Sequence, residues 1–120
     1  METKNAIEAL AALAHEGRLD IFRALVRAGP EGLAAGKLGE QVGLAGSTLS
    51  NNLATLTRSG LIASRRDGRS IIYTTDFEQM TGLLAFLMED CCGGSPSVCA
   101  PLSGVLSKAN CCTTANQRSA

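Results

Sequence analysis

Apolar residues recur at helical spacing in the first part of the chain. Alanine and leucine return every three or four positions over residues 3–14, which predicts a first helix there. A second helix follows, with Leu19, Phe22 and Leu25 on one face, and Gly29-Pro30 is expected to stop it. We expect Gly17 to mark the break between the two helices.

A short third helix, a fourth helix and a change of period come next. Residues 33–42 predict a third helix that ends at Gly43. Residues 47–58 predict a fourth, with leucines on its inner face. Residues 61–66 and 69–75 then form two β-type runs, and Asp67-Gly68 between them is a strong hairpin signal because such turns need positive φ.

The last predicted helix is apolar on more than one side. It covers residues 77–89, and Asp76 is placed to cap it. Residues 83–88 are apolar without interruption, and a helix that is apolar all round is usually buried all round. In so small a domain we expect a second subunit to bury the apolar surface of this helix, at a contact to which the first helix also contributes. The order of elements therefore predicts a mainly α fold with a small β-hairpin, a homodimeric winged helix-turn-helix.

The fourth helix and the hairpin supply a candidate DNA-binding surface. Polar side chains lie away from the leucines of the helix, where Asn can pair with adenine and Ser or Thr can contact bases or phosphates. Residues 41–75 contain four arginines and one aspartate, which gives this segment a formal net charge of plus three. The hairpin arginines suit phosphates or a minor groove. The predicted DNA-binding residues are Ser47, Thr48, Ser50, Asn51, Asn52, Thr55, Arg58, Arg65, Arg66 and Arg69.

Composition and charge change this picture little. The chain has 120 residues, a formal net charge of zero and few aromatic residues, which fits one small domain with an aliphatic core. The start of the chain carries no targeting pattern, and its apolar runs are too short to span a membrane, so we expect a cytoplasmic protein without a membrane partner. No assisted nucleophile, phosphate loop or carboxylate cluster is visible, so we expect that it is not an enzyme.

All five cysteines fall in the last thirty residues, as two adjacent pairs and a single residue between them. An odd count with adjacent pairs fits a disulfide framework badly, and cytoplasmic thiols stay reduced. The division predicted from this is a winged-helix and dimerisation domain over residues 1–90 and a cysteine-rich inducer-binding tail over residues 91–120. The lone histidine, His15, is expected to be a structural or capping residue near the junction of the first two helices.

Three segments resemble the ArsR/SmtB metalloregulatory repressors. They are residues 13–21 at the junction of the first two helices, residues 47–62 through the fourth helix, and residues 65–73 in the hairpin. The resemblance covers about residues 5–90. It implies a homodimeric winged-helix repressor that leaves its operator DNA when an inducer binds.

The chain departs from this family at the sites where the family binds its inducers. The start of the third helix, residues 32–38, lacks the cysteine pair of the better-known arsenic site. The zinc-type site on the last helix lacks its histidine, although Asp76 is present.

The recognition helix has Asn51-Asn52 where an adjacent histidine pair is common in the family, so the operator sequence of the family cannot be carried over to this chain.

The C-terminal thiols are therefore the candidate receptor. Soft thiolates select soft ions, and trivalent arsenic or antimony favours three sulfur ligands. Cys91, Cys92 and Cys99 resemble the C-terminal arsenite sites of some repressors of this family, with Cys111 and Cys112 as secondary candidates. No resident cofactor is expected beyond the As(III) or Sb(III) inducer. Zinc or cadmium sensing, a redox or persulfide switch, and a thiol-rich metal carrier remain the alternatives.

Overall fold

A computed structural model describes residues 1–88. The chain divides into a first compact unit, residues 1–86, and a second unit that begins at Leu87. The predicted cysteine sites at Cys91, Cys92, Cys99, Cys111 and Cys112, and the whole tail 91–120, lie outside the described residues.

Five helices and three strands make up the described chain. The helices are α1 (Thr3–Leu13), α2 (Glu16–Ala28), α3 (Ala35–Val42), α4 (Gly46–Arg58) and α5 (Phe77–Leu87). The strands are β1 (Leu33–Ala34), β2 (Ile62–Asp67) and β3 (Ser70–Thr75), and a 3-10 turn occupies Gly29–Glu31. The predicted mainly α winged helix-turn-helix is confirmed. Within residues 1–88, no helix has both the length and the apolar character needed to cross a bilayer.

The junction of α1 and α2 corrects one prediction. Gly17 does not break the chain, because it lies in the first turn of α2. The break falls at Ala14 and His15, and the Nδ1 atom of His15 accepts hydrogen bonds from the backbone N–H groups of Gly17 (3.1 Å) and Arg18 (3.4 Å). Two amides that a helix start leaves without partners are thereby satisfied. The capping role expected of His15 is confirmed.

The helix-turn-helix itself is α3, a short turn and α4. Gly43 ends α3 in the left-handed conformation, with φ at +73° and its N–H bonded to the carbonyl of Gly39. A Cβ atom on Gly39 would stand 2.6 Å from the carbonyl oxygen of Leu44 and 2.9 Å from Leu49 Cδ2. Only glycine lets α3 approach the turn and the start of α4 this closely.

The sheet contains one strand more than the predicted hairpin. Its order is β1-β3-β2, all antiparallel. Leu33 and Ala34 were expected at the start of the third helix, but they pair with Tyr73 and Ile72 of β3. The hairpin turn is also one residue later than predicted, since Asp67 pairs with Ser70 and leaves Gly68, at φ +63°, and Arg69 in the loop.

The core lies where α1, α2, α3 and α4 meet the base of the sheet. Its most deeply buried large side chains are aliphatic, as the scarcity of aromatic residues requires: Ile21, Leu25, Leu38, Leu56 and Leu61. Asp76 begins α5 as predicted, with its Oδ1 atom accepting from the N–H of Gln79 at 3.1 Å. The core holds α4 and the sheet in fixed relation, and these two elements carry the predicted DNA-binding residues.

Candidate nucleic-acid interface

Helix α4 separates cleanly into a buried face and an exposed face. Leu49, Leu53 and Leu56 pack into the core. Ser47, Thr48, Ser50 and Asn51 are exposed in the first half of the helix, where helix-turn-helix proteins meet the base edges. The hydrogen bonds found among residues 1–88 leave the side chains of Ser47, Ser50 and Asn51 unengaged.

The placement of Asn52 on the exposed face is wrong. Asn52 is only 6% exposed, and its Nδ2 atom has no hydrogen-bond partner within the described residues. It lies against the start of α2, where a Cβ atom on Gly17 would stand 3.1 Å from Nδ2. The physical reason is spacing, because positions 49, 52, 53 and 56 form one helical stripe and Asn52 belongs to the leucine side.

In the second half of α4, side chains form hydrogen bonds within the helix. The hydroxyl of Thr55 donates to the carbonyl of Asn51 at 3.1 Å, and the Nη2 atom of Arg58 donates to that hydroxyl at 3.3 Å. Thr55 is half-buried, whereas Arg58 is exposed. Both side chains are therefore held along the helix, and their predicted DNA contacts stay predictions.

Ala54 is a residue that sequence reasoning missed. It is exposed and shares a helical stripe with Ser47, Ser50, Asn51 and Arg58. A small apolar side chain at that position can contact a thymine methyl group. The signal was available in the same spacing that identifies the polar face, but an alanine carries no polar chemistry to draw attention to it.

The wing lies beside α4. A cleft of about 450 Å³ separates them, lined on the helix side by Leu49, Ser50 and Leu53 and on the wing side by Arg69, Ile71 and other residues. Arg65, Arg66 and Arg69 are all exposed, as predicted. Arg65 is not free, however, because its Nη2 atom donates to the carbonyl oxygen of Glu31 at 3.0 Å.

Metal binding finds no support in the part of the chain that the structure describes. Residues 1–88 contain no group of three or more His, Cys, Asp or Glu side chains that could hold an ion. A metal or metalloid receptor, as predicted for the cysteines, would have to draw on residues beyond 88.

Comparison with known proteins places this arrangement among transcriptional regulators. The family model described as a helix-turn-helix domain matches residues 13–65. The nodulation protein NolR of Rhizobium meliloti is 35% identical over 80 residues, which cover 67% of this chain and 63% of that protein. The chain therefore matches just under two thirds of the length of this relative. The regulator YgaV of Escherichia coli K12 is 35% identical over 89 residues, covering 74% of this chain and 88% of the relative.

Solved structures agree on the fold. The reduced form of HlyU from Vibrio cholerae superposes with a TM-score of 0.53 at 32% identity, covering 71% of this chain and 90% of that one. The homodimeric winged helix-turn-helix domain of Mb0332 from Mycobacterium bovis, a possible ArsR-family regulator, superposes with a TM-score of 0.57 at 24% identity, over 72% and 81% of the two chains. YgaV is named as a transcriptional regulator and Mb0332 as a possible one, and neither is named as an enzyme, which agrees with the expectation that this chain is no enzyme.

Proposed function

We propose that this chain, which belongs to the helix-turn-helix transcriptional regulators, is a homodimeric repressor of the ArsR/SmtB type that releases operator DNA when As(III) or Sb(III) binds Cys91, Cys92 and Cys99. The proposal has three parts: DNA binding, assembly and sensing. Each part rests on a different observation.

The exposed polar face of α4 carries the DNA-binding part. Ser47, Ser50 and Asn51 contribute nothing to the core. Their side chains form no hydrogen bonds within residues 1–88, which leaves them available to DNA. An Asn amide can donate to and accept from adenine at once, which a phosphate contact does not require. The adjacent wing adds Arg66 and Arg69, whose charge attracts the DNA backbone without regard to sequence.

The apolar surface of α1 and α5 carries the assembly part. Ile7 is 60% exposed and Leu10, one turn later, 41%. On α5, Leu84 is 49% exposed, and α1 begins close by, since a Cβ atom on Gly82 would stand 3.6 Å from Met1 Cε. A self-complementary contact between two copies would remove these side chains from water. The homodimeric assembly of Mb0332 supports the same arrangement here.

The thiol chemistry of the tail carries the sensing part. Cys91 follows the end of α5 at Leu87 by four positions in the sequence. Three thiolates that bind one ion would constrain the chain next to the proposed dimer contact. An inducer can lower DNA affinity only if it binds the DNA-competent and the released states differently, and a change in how two subunits meet provides that difference.

The test is an arsenite titration of the protein on fluorescently labelled DNA from upstream of its own gene, followed by anisotropy. Wild-type protein should bind the DNA and leave it as arsenite is added. Cys91→Ser, Cys92→Ser or Cys99→Ser should each bind DNA normally and fail to respond. The Cys111→Ser/Cys112→Ser double variant is the matched control, because it removes two thiols and should still respond.

Two results would contradict the proposal in different ways. Absence of binding to any upstream DNA at physiological salt would overturn the repressor function and favour a thiol-rich carrier. A double variant that ignores arsenite beside a Cys99→Ser protein that responds would move the receptor to the distal pair.

Thiol oxidation is the second candidate signal. One relative, HlyU of Vibrio cholerae, is described in a reduced form, which makes redox state a property worth testing here. Peroxide added to the same DNA complex should leave it intact if the thiols sense As(III), whereas release by peroxide and not by arsenite would favour the redox switch.

A further inference from the structure

Two adjacent arginines of the wing lie on opposite faces of the sheet. Arg65 pairs with Ile72 and Arg66 with Ile71 in the register of β2 and β3. Side chains alternate between faces along a strand, so Arg66 shares its face with Ile71 and Tyr73, whereas Arg65 shares the other face with Ile72.

The neighbours of each face show which one meets the recognition helix. Ile71 and Tyr73 line the cleft next to Leu49 and Ser50 of α4. The opposite face meets the 3-10 turn, since a Cβ atom on Gly32, directly after that turn, would stand 2.5 Å from Thr74 Cγ2 and 3.1 Å from Ile72 Cγ2. Arg66 therefore projects on the side of α4, and Arg65 projects away from it.

The hydrogen bond of Arg65 agrees with this division. From β2 its guanidinium reaches past β3 to the carbonyl oxygen of Glu31 in the 3-10 turn, at 3.0 Å. We propose that Arg65 is a positioning residue that fixes the wing against the 3-10 turn, and that Arg66, with Arg69, supplies the phosphate contacts of the wing. This inference rests on the proposed DNA binding and divides the three wing arginines that the sequence placed together.

The location of the bond explains why the wing needs it. The third strand, β1, supports β3 only at Tyr73 and Ile72. Arg65 lies in the last three-stranded row, opposite Ile72 and Ala34, and beyond it the wing is a two-stranded ribbon. Isolated two-stranded ribbons are marginally stable in water, so a bond at this row sets the direction of the free tip that carries Arg66 and Arg69.

The test compares Arg65→Gln with Arg66→Gln, two variants that each remove one charge from neighbouring positions. Hydrogen exchange of the DNA-free proteins is measured first. Arg65→Gln should raise exchange at residues 66–71 about two- to tenfold, the effect expected from losing one exposed hydrogen bond, without changing exchange in the helices. Arg66→Gln should leave wing exchange unchanged, and Arg65→Lys, which keeps a donor for the carbonyl, should restore protection.

The salt dependence of DNA binding is measured next. Arg66→Gln should reduce the slope of log K against log salt by about 1.8, or 0.9 for each of two wings, because phosphate contacts are lost. Arg65→Gln should weaken binding about two- to tenfold at every salt concentration with the slope unchanged.

The two measurements can contradict the positioning role and the proposed DNA binding independently of each other. Unchanged wing exchange in Arg65→Gln, or a fall in its salt slope equal to that of Arg66→Gln, would overturn the positioning role. If the wild-type protein binds no DNA at all, the proposed function fails, while the exchange comparison still decides whether Arg65 anchors the wing.

Discussion

Helices α4 and α5 expose opposite kinds of surface. Helix α5 buries only one side chain, Leu83, and leaves Leu84 half-exposed beside other apolar residues. Helix α4 buries a stripe of four residues and exposes hydroxyl, amide and guanidinium groups. What a helix leaves exposed indicates the partner it suits: apolar surface gains free energy from another protein surface, and polar side chains without internal bonds suit base edges and phosphates.

The largest expected effect is on assembly through α5. Leu84→Glu would place a carboxylate in the proposed contact twice, once from each subunit, in place of two apolar side chains worth about 1.5–3 kcal/mol each. The dimer dissociation constant should rise by about 10²- to 10⁴-fold, and DNA binding should disappear because two half-sites need two recognition helices. Sedimentation equilibrium measures the first quantity.

Leu19→Glu is the control for that variant. Leu19 is 42% exposed, close to Leu84 in exposure, but it lies on α2. The dimer should survive this change. Equal disruption by both variants would mean that a charge on any exposed leucine disturbs assembly. The apolar surface of α5 could then no longer be assigned specifically to the dimer contact.

The next effect separates the two faces of α4. Leu56 is completely buried, so Leu56→Ala should lower the free energy of unfolding by about 2–5 kcal/mol through lost burial and a cavity. Ser50→Ala, on the exposed face, should change it by no more than about 0.5 kcal/mol. Urea unfolding at one fixed protein concentration measures both, since the stability of a dimer depends on concentration. A loss of more than about 1 kcal/mol from Ser50→Ala would show that the exposed face has a structural role.

A third effect uses adjacent identical residues. Asn51 is exposed, whereas Asn52 is buried and its Nδ2 atom has no hydrogen-bond partner among residues 1–88. Asn51→Ala should cost about 1–3 kcal/mol of discrimination between operator and unrelated DNA per half-site. Asn52→Leu should leave discrimination unchanged and raise the free energy of unfolding by about 1–3 kcal/mol, because it removes a buried donor that lacks a partner.

Competition binding with operator and unrelated DNA separates the two asparagines. Loss of operator preference in Asn52→Leu with normal preference in Asn51→Ala would place the inner face of α4 against DNA. That result would reverse the assignment of the two faces.

The sequence predicted the elements that depend on local pattern and missed those that depend on distant contacts. Helical spacing located α1 to α5, and the glycine turn located the wing to within one residue. Strand β1 was missed because two residues carry no period, and only pairing with β3, nearly forty positions later, makes them a strand. The anchor at Arg65 was missed for the same reason, since its partner is a backbone carbonyl 34 positions away.

The sequence predicted that α4 has a polar exposed face, but it did not assign every residue of that face correctly. Polar residues opposite leucines identified Ser47, Ser50 and Asn51 correctly as exposed. Asn52 was misplaced because its polarity was given more weight than its spacing from the leucines. A buried amide is costly and therefore unexpected, and only the close approach of Gly17 in α2 explains where the side chain goes.

The smallest expected effect tests whether α4 depends on support that α5 does not share. His15 caps α2, and the first turn of α2 lies against the buried amide of Asn52 in α4. His15→Ala should lower the free energy of unfolding by about 1 kcal/mol, the usual value of an N-cap, and His15→Asn, which keeps a capping acceptor, should lose little. Hydrogen exchange in the alanine variant should rise in the first turn of α2 and in the adjoining half of α4. An equal rise throughout α5 would mean that the two helices share one supporting network and do not differ in what holds them in place.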